Sequence, residues 1–370
     1  MTNLGALGGD AAARAVTDTV AEAVAALRPA AGRDWSDVRA GRTEWNCLRT
    51  AEHVVSDLFA YATQLATRAP DAYRPVEYTV DPPHDGAAVA KDALEAIEAG
   101  GVMLALTCRT APRAARGFHP YPFRSAGREG FAAMGMAEVL LHTHDMAQGL
   151  GVDFRPSAEL CGYVLARLFP HVRQGEDPWR TLLWVTGRGE LSGEEPVETW
   201  RWYNNPLVEA ERLTMEALTV PAAADLALGG DGGFDWVSGG PFEGTREGAS
   251  LITAAYEKGA FRPEWTSYVL VRREDDRAVG SMGFHGPPDE DGQVEIGYDL
   301  AVAARGKGYA TEALRALSTW ALAHDGVDVV TARVDPANTA SRHVLERGGF
   351  ARAGHVDEAG GVLVFERRAD

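Results

Sequence analysis

The chain is poor in cysteine and in lysine. Its cysteines are Cys47, Cys108 and Cys161, an odd and scattered set that excludes a disulfide framework and fits reduced thiols in a cytoplasm. Lysine occurs only at Lys91, Lys258 and Lys307, and 36 basic residues against 53 acidic ones leave a formal net charge of −17. Nucleic-acid binding needs clustered cations, so nucleic acid is excluded as the main partner. Long-range attraction favours a cationic partner such as an amine. No apolar run reaches the roughly 20 residues that cross a bilayer, and the opening "MTNLGALGGDAAARAV" lacks the basic-then-apolar layout of a signal peptide. A cytoplasmic protein without a membrane partner is expected.

What is present is an ordinary globular composition, 45% hydrophobic and 24% charged, over 370 residues. That length exceeds what one core usually supports, so two domains are expected. The first half carries helical periodicity over 10–30, 45–68, 86–99, 127–149 and 157–172, with a strand expected at "GVMLALTCRT" (101–110). After "ETWRWYNNP" (198–206) short strands and helices alternate. The expected division is a helical bundle over 1–205 and an α+β domain over 206–370. The glycine-rich "GGDGGFDWVSGGPFEGTREG" (229–248) reads as a mobile loop.

Three local patterns carry chemistry. "QVEIGYDLAVAARGKGYATEAL" (293–314) reads as strand, short loop and helix, with Arg305, Gly306, Lys307 and Gly308 where the helix should begin. Free amides there, with glycines that let backbone approach closely and two cations, suit a pyrophosphate; a tight capping turn is the plainer reading. On the strand, Gln293, Glu295, Gly297 and Asp299 share one face and Val294, Ile296, Tyr298 and Leu300 the other. Glu295 is thus either solvated or a candidate base. In "FAAMGMAEVLLHTHDMAQGLG" (131–151), Glu138 and His142 project from one helix face. With His53 they offer a metal trio with an open coordination position; a buried His–Glu hydrogen bond is the alternative.

The second half resembles the GNAT N-acetyltransferases. Arg305-x-x-Gly308-x-Ala310 matches their R/Q-x-x-G-x-G/A signature, and "VDPANTASRHVLERGGF" (334–350) and "RLTMEALTVPAAADLAL" (212–228) resemble flanking segments in the right order. The resemblance implies a GNAT fold with a mixed, mostly antiparallel sheet and acetyl-CoA as cofactor. Backbone at Leu300 and Val302 would bind the pantetheine arm. Residues Arg305, Gly306, Lys307, Gly308, Tyr309 and Ala310 would hold the pyrophosphate, and Asn338 and Ser341 would lie beside the thioester. Glu295 would be the base and an N–H near Leu300 the oxyanion donor. Many members carry a Tyr as acid seven residues after the Asn; Leu345 stands there instead, which leaves Ser341 as the candidate. The acceptor would be an amine of a small molecule or a peptide.

The first half resembles the DinB-type, mycothiol-dependent maleylpyruvate isomerase superfamily through "DWSDVRAGRTEWNCLRTAEHVVSDLFAYATQLA", "MAEVLLHTHDMAQGLG" and "DPWRTLLWVTGRGEL". This implies a four-helix bundle holding zinc or nickel through His53, Glu138 and His142, with His144 turned away. Acyl transfer in the second half is the main expectation. A metal- and thiol-dependent isomerase or transferase centred on the bundle, and a ligand sensor without turnover, are the competing ones. A homodimer is compatible with all three.

Overall fold

The computed structural model describes residues 7–80, 86–120, 123–356 and 361–369. The first six residues of the opening stretch lie outside them. The chain forms two compact units, 1–204 and 205–370.

The first unit is built from α1 (Gly9–Leu27), α2 (Cys47–Thr67), α3 (Gly86–Thr110) and α4 (Arg128–Leu150), followed by α5 (Ala158–Leu168) and α6 (Pro178–Val185). A two-residue ladder, β1 (Arg116–Gly117) with β2 (Ala126–Gly127), leads into α4. Helices α1 and α2 each pack on both α3 and α4, with α5 against α4 and α6 against α5. The Asn46 side chain caps α2 by accepting from the Arg49 amide, one of the donors a helix start leaves unpaired. Leu27, Leu58, Leu104, Phe131 and Leu140 fill the centre. The three thiols are buried and unpaired; burial pushes Cys47 up to about 11 and the other two to about 12, which leaves them unreactive.

The strand expected at 101–110 is absent, because α3 continues unbroken through it. Burial recurs at Leu94, Ile97, Leu104, Ala105 and Cys108, a helical spacing, while Val102, Met103 and Leu106 face outward. Gly100 and Gly101 inside the helix are close-approach points. A Cβ at Gly100 would lie 3.1 Å from Leu58 Cβ, and one at Gly101 2.7 Å from Val20 Cγ2.

The second unit runs β3 (Leu207–Glu209), β4 (Leu213–Ala217), α7 (Val220–Ala227), α8 (Glu243–Glu257), β5 (Ser267–Arg272), β6 (Ala278–Phe284), β7 (Gln293–Leu300), α9 (Tyr309–Leu322), β8 (Val329–Val334), α10 (Thr339–Arg347), β9 (Ala351–Val356) and β10 (Leu363–Arg368). Its eight strands form one mixed sheet in the order β3-β4-β5-β6-β7-β8-β10-β9, with β7–β8 as the parallel pair. The expected mobile loop at 229–248 is a correction. Trp236 and Val237 are buried, Trp236 bridges to Ala278, and 243–248 already belong to α8; apolar side chains between the glycines anchor the segment to the sheet.

Val294 and Ile296 of β7 share a core with Leu314 and Leu317 of α9. The alternate face carries Glu295, Gly297 and Asp299 and meets α8, whose Gly244 and Thr245 amides donate to the Asp299 carboxylate. The sheet is thus covered on both faces, with β7 between α8 and α9.

Candidate functional site

The register of β7 opens the site. It pairs with β8 only from Gln293 to Glu295, whereas its pairing with β6 continues to Leu300. Beyond Glu295 the two parallel strands part. The amides of Ala301 and His285 donate to Val279 and Glu295 carbonyls across the β6–β7 ladder, so odd-numbered β7 residues direct their backbone groups toward β6. The Tyr298 N–H and C=O and the Leu300 C=O therefore point into the gap, where an extended arm can bind as an added strand, while the Leu300 N–H is engaged by the Asp299 carboxylate. The Leu300 carbonyl accepts from Arg305 Nε at 3.1 Å, which ties the start of the following loop to this strand.

That loop is solvent-exposed from Arg305 through Gly308. Gly306 and Gly308 have φ of 75° and 82°, the left-handed region that favours glycine. The helix ladder of α9 begins with the Glu312 amide donating to the Gly308 carbonyl, so the amides of Tyr309, Ala310 and Thr311 have no partner within the helix. Two cations, exposed amides and a helix N-terminus together form an anion seat. Val302 is 68% exposed beside it, leaving its backbone approachable, while the Tyr309 ring is buried and offers the site only its amide.

A residue that sequence reasoning missed braces the loop. Arg212, in the β3–β4 turn, donates through Nη1 to the Lys307 carbonyl at 3.0 Å and through Nε to Glu312 at 2.7 Å. Its guanidinium also stacks 4.8 Å from the Tyr309 ring centre.

Glu295 is half-buried. One carboxylate oxygen lies 3.2 Å from His285 Nδ1 and the other 3.2 Å from Arg333 Nε. The hydrogen bond to Glu295 raises His285 above the ordinary histidine range, against burial and the Arg333 charge. His285, Gly297 and Asp299 line a cleft of about 450 Å³ between α8 and the sheet, with apolar walls that include Leu251, Trp265 and Phe284. Burial raises Asp299, although helix amides and Arg305 oppose the shift.

Asn338 accepts from the Ser341 amide at 3.0 Å and so caps α10. Ser341 Oγ lies 2.6 Å from the Tyr298 hydroxyl, bringing two hydroxyls to the far face of β7 from His285. Strand alternation assigns Tyr298 only to the apolar face; its polar end reaches α10. Leu345 is buried in the core and supplies no acid.

In the first unit His53, Glu138 and His142 converge, with their candidate ligand atoms within 4.8 Å of one another. A Glu138 oxygen lies 3.2 Å from His142 Nε2 and 3.7 Å from His53 Nε2. Two imidazoles and a carboxylate are a suitable donor set for a divalent ion. Around them, Asp145 bonds His142 Nδ1 at 3.2 Å and is itself gripped by Arg188, while Asp57 lies 3.4 Å from His53 Nε2. Burial lowers His142, but hydrogen bonds to Asp145 and Glu138 outweigh it and leave it raised to about 9. Burial and then the Glu138 charge push Asp57 up to about 8. His144 packs its ring on Trp179 and bonds Gln148, away from the trio.

A parted parallel strand pair with a cationic, glycine-bent helix start beside it offers room for an extended ligand with an anionic end. Residues 212–351 match the family model for an acetyltransferase (GNAT) domain. The uncharacterized N-acetyltransferase YjdG of Bacillus subtilis (strain 168) is 30% identical over 153 residues, 39% of this chain and 89% of that protein. The uncharacterized N-acetyltransferase p20 of Bacillus licheniformis is 33% identical over 87 residues, 24% of this chain and 49% of that protein. Among solved structures, an acetyltransferase of Agrobacterium tumefaciens str. C58 is 24% identical, with 48% of this chain and all of that one covered at a TM-score of 0.33. A ribosomal L7/L12 alpha-N-protein acetyltransferase in complex with coenzyme A is 19% identical, covering 44% and 98%, also at 0.33. Through its second unit the chain belongs to the GNAT acetyltransferase family and is an acyltransferase.

Proposed function

We propose that the second unit transfers an acetyl group from acetyl-CoA to the amine of a small molecule or a peptide. The observation that carries the proposal is the parting of β7 from β8 directly before an open, doubly glycine-bent helix start. The amides of 306–311, with Arg305 and Lys307, would hold the diphosphate. Backbone at Tyr298, Leu300 and Val302 would bind the pantetheine arm. Asn338 and Ser341 would flank the thioester end. Acetyl-CoA supplies an activated acyl group. An amine of pKa about 10 is mostly protonated near neutrality, so the protein must accept a proton, and Glu295 with the groups it touches is the place for that. A backbone N–H near Leu300 would stabilise the developing oxyanion. The hydroxyl pair of Tyr298 and Ser341 would protonate the departing sulfur. The apolar walls of the cleft suit an acceptor whose amine sits on an apolar body.

The test is release of free CoA thiol from acetyl-CoA with 2-phenylethylamine, spermidine and a short peptide with a free N-terminus. Turnover of at least one is expected. Binding of acetyl-CoA without turnover on any of them would overturn the enzymatic reading in favour of a sensor.

A second reading concerns the first unit, and the convergence of His53, Glu138 and His142 favours it. We propose that this DinB-like helical bundle holds one zinc or nickel ion on these three side chains, with Asp145 fixing the His142 ring as an outer partner. Metal analysis of the purified full chain should give about one ion per chain, and His142→Ala should lose it. Equal metal content in both would contradict the assignment.

A further inference from the structure

We propose that His285 is the group that takes the proton from the acceptor amine and that Glu295 is its positioning residue. This rests on the acyl-transfer reading above.

The geometry separates the two roles. Glu295 is bonded on one side by Arg333 and on the other by His285 Nδ1, each at 3.2 Å; a carboxylate shared by a guanidinium and an imidazole is poorly placed to meet an incoming ammonium. The same contact puts the neutral imidazole's proton on Nδ1 and leaves the lone pair on Nε2. Nε2 has no hydrogen-bond partner among the described residues. It lies against Gly297, where a Cβ would come within 2.8 Å of it. His285 lines the acceptor cleft, and Gly297 lies just past the point where β7 leaves β8. The absent side chain at 297 is what lets the imidazole lie across the strand beside the thioester's track.

In the reaction the ammonium first gives one proton to His285 Nε2, which passes it to water. The neutral nitrogen then forms a bond to the acyl carbon, and the C–S bond breaks with its electron pair on sulfur. A second N–H proton leaves through Nε2 to water, while the sulfur takes a proton from the Tyr298–Ser341 hydroxyl pair, which regains one from water. The charged groups around His285 are Glu295 and Asp299 on β7, Arg333 on β8, and Glu247 and Arg262, which line the cleft. The Glu295 hydrogen bond, acting against burial and Arg333, raises the histidine. The acid limb of kcat should therefore lie above the ordinary value of about 6.5, with the rate rising as the imidazole loses its proton.

Two measurements on the full-length protein decide it. Nitrogen-15 NMR of the imidazoles should show His285 as the Nδ1-protonated tautomer, with a lower titration midpoint in Glu295→Gln. An Nε2-protonated His285 overturns the proposal whether or not an acceptor is in hand. With acetyl-CoA and the fastest amine of the panel, His285→Gln should lower kcat about 100-fold or more and abolish the acid limb. Glu295→Gln should keep the limb but move it to lower pH. Gly297→Ala should lose kcat on a similar scale by displacing the ring, while acetyl-CoA affinity stays within twofold in all three. A His285→Gln enzyme within threefold of wild type, with its limb intact, would return the base to Glu295 and leave acyl transfer standing.

Discussion

At Gly308 the backbone holds a φ of 82° at the first step into α9, a conformation that a β-branched residue adopts only under strain. Gly308→Val is expected to weaken acetyl-CoA binding at least tenfold and to lower stability by about 1–3 kcal/mol through the strained backbone; calorimetry and a melting curve read the two effects. Arg212→Ala should weaken binding by a smaller factor, severalfold, because it removes the brace on Lys307 and Glu312 without touching the seat itself. The two residues differ in how far the sequence disclosed them. The glycine and cation spacing at 305–310 is contiguous and marks a helix start on its own. Arg212 is 100 residues from Glu312, and nothing local distinguishes it from any other turn arginine. The same holds for Tyr298. Strand alternation assigns its face but not the length of its reach, so the contact with Ser341 emerges only when α10 is packed.

At the scale of elements, β7 is legible from its alternating apolar and polar residues, whereas β6 is buried along its whole length and its sequence shows only a short apolar run. Helix α3 continues through the apolar run 101–110, which by local pattern alone resembles a strand. Gly100 and Gly101 exist for neighbours far along the chain, Val20 and Leu58, which a local window does not contain. Gly101→Val should accordingly destabilise the first unit by about 1–3 kcal/mol through overpacking, seen as a lower urea midpoint. Asn338→Ala should cost about 1 kcal/mol as a lost helix cap. It should also affect acyl transfer more than that stability loss implies if the side chain serves the thioester arm; comparing kcat/KM with the melting shift separates the two contributions.

Over the whole molecule, the change in texture near residue 205 is visible because a run of long helices gives way to short alternating strands. How β7 and β8 separate was not visible, since register depends on pairing partners and not on composition. The two candidate centres draw on different units and share no residue. His142→Ala should therefore lose metal without changing CoA-dependent acetylation beyond twofold; loss of acetylation with the metal would move the working site to the bundle. The central claim, that main-chain amides at 306–311 grip a coenzyme A diphosphate, is tested most directly by titrating acetyl-CoA into the full-length protein in a calorimeter. A single saturable site is expected, weakened at least tenfold by Gly308→Val and weakened by added salt, as for an anion held by cations and helix amides. No saturable heat with the wild-type protein, or equal affinity in Gly308→Val, would contradict it.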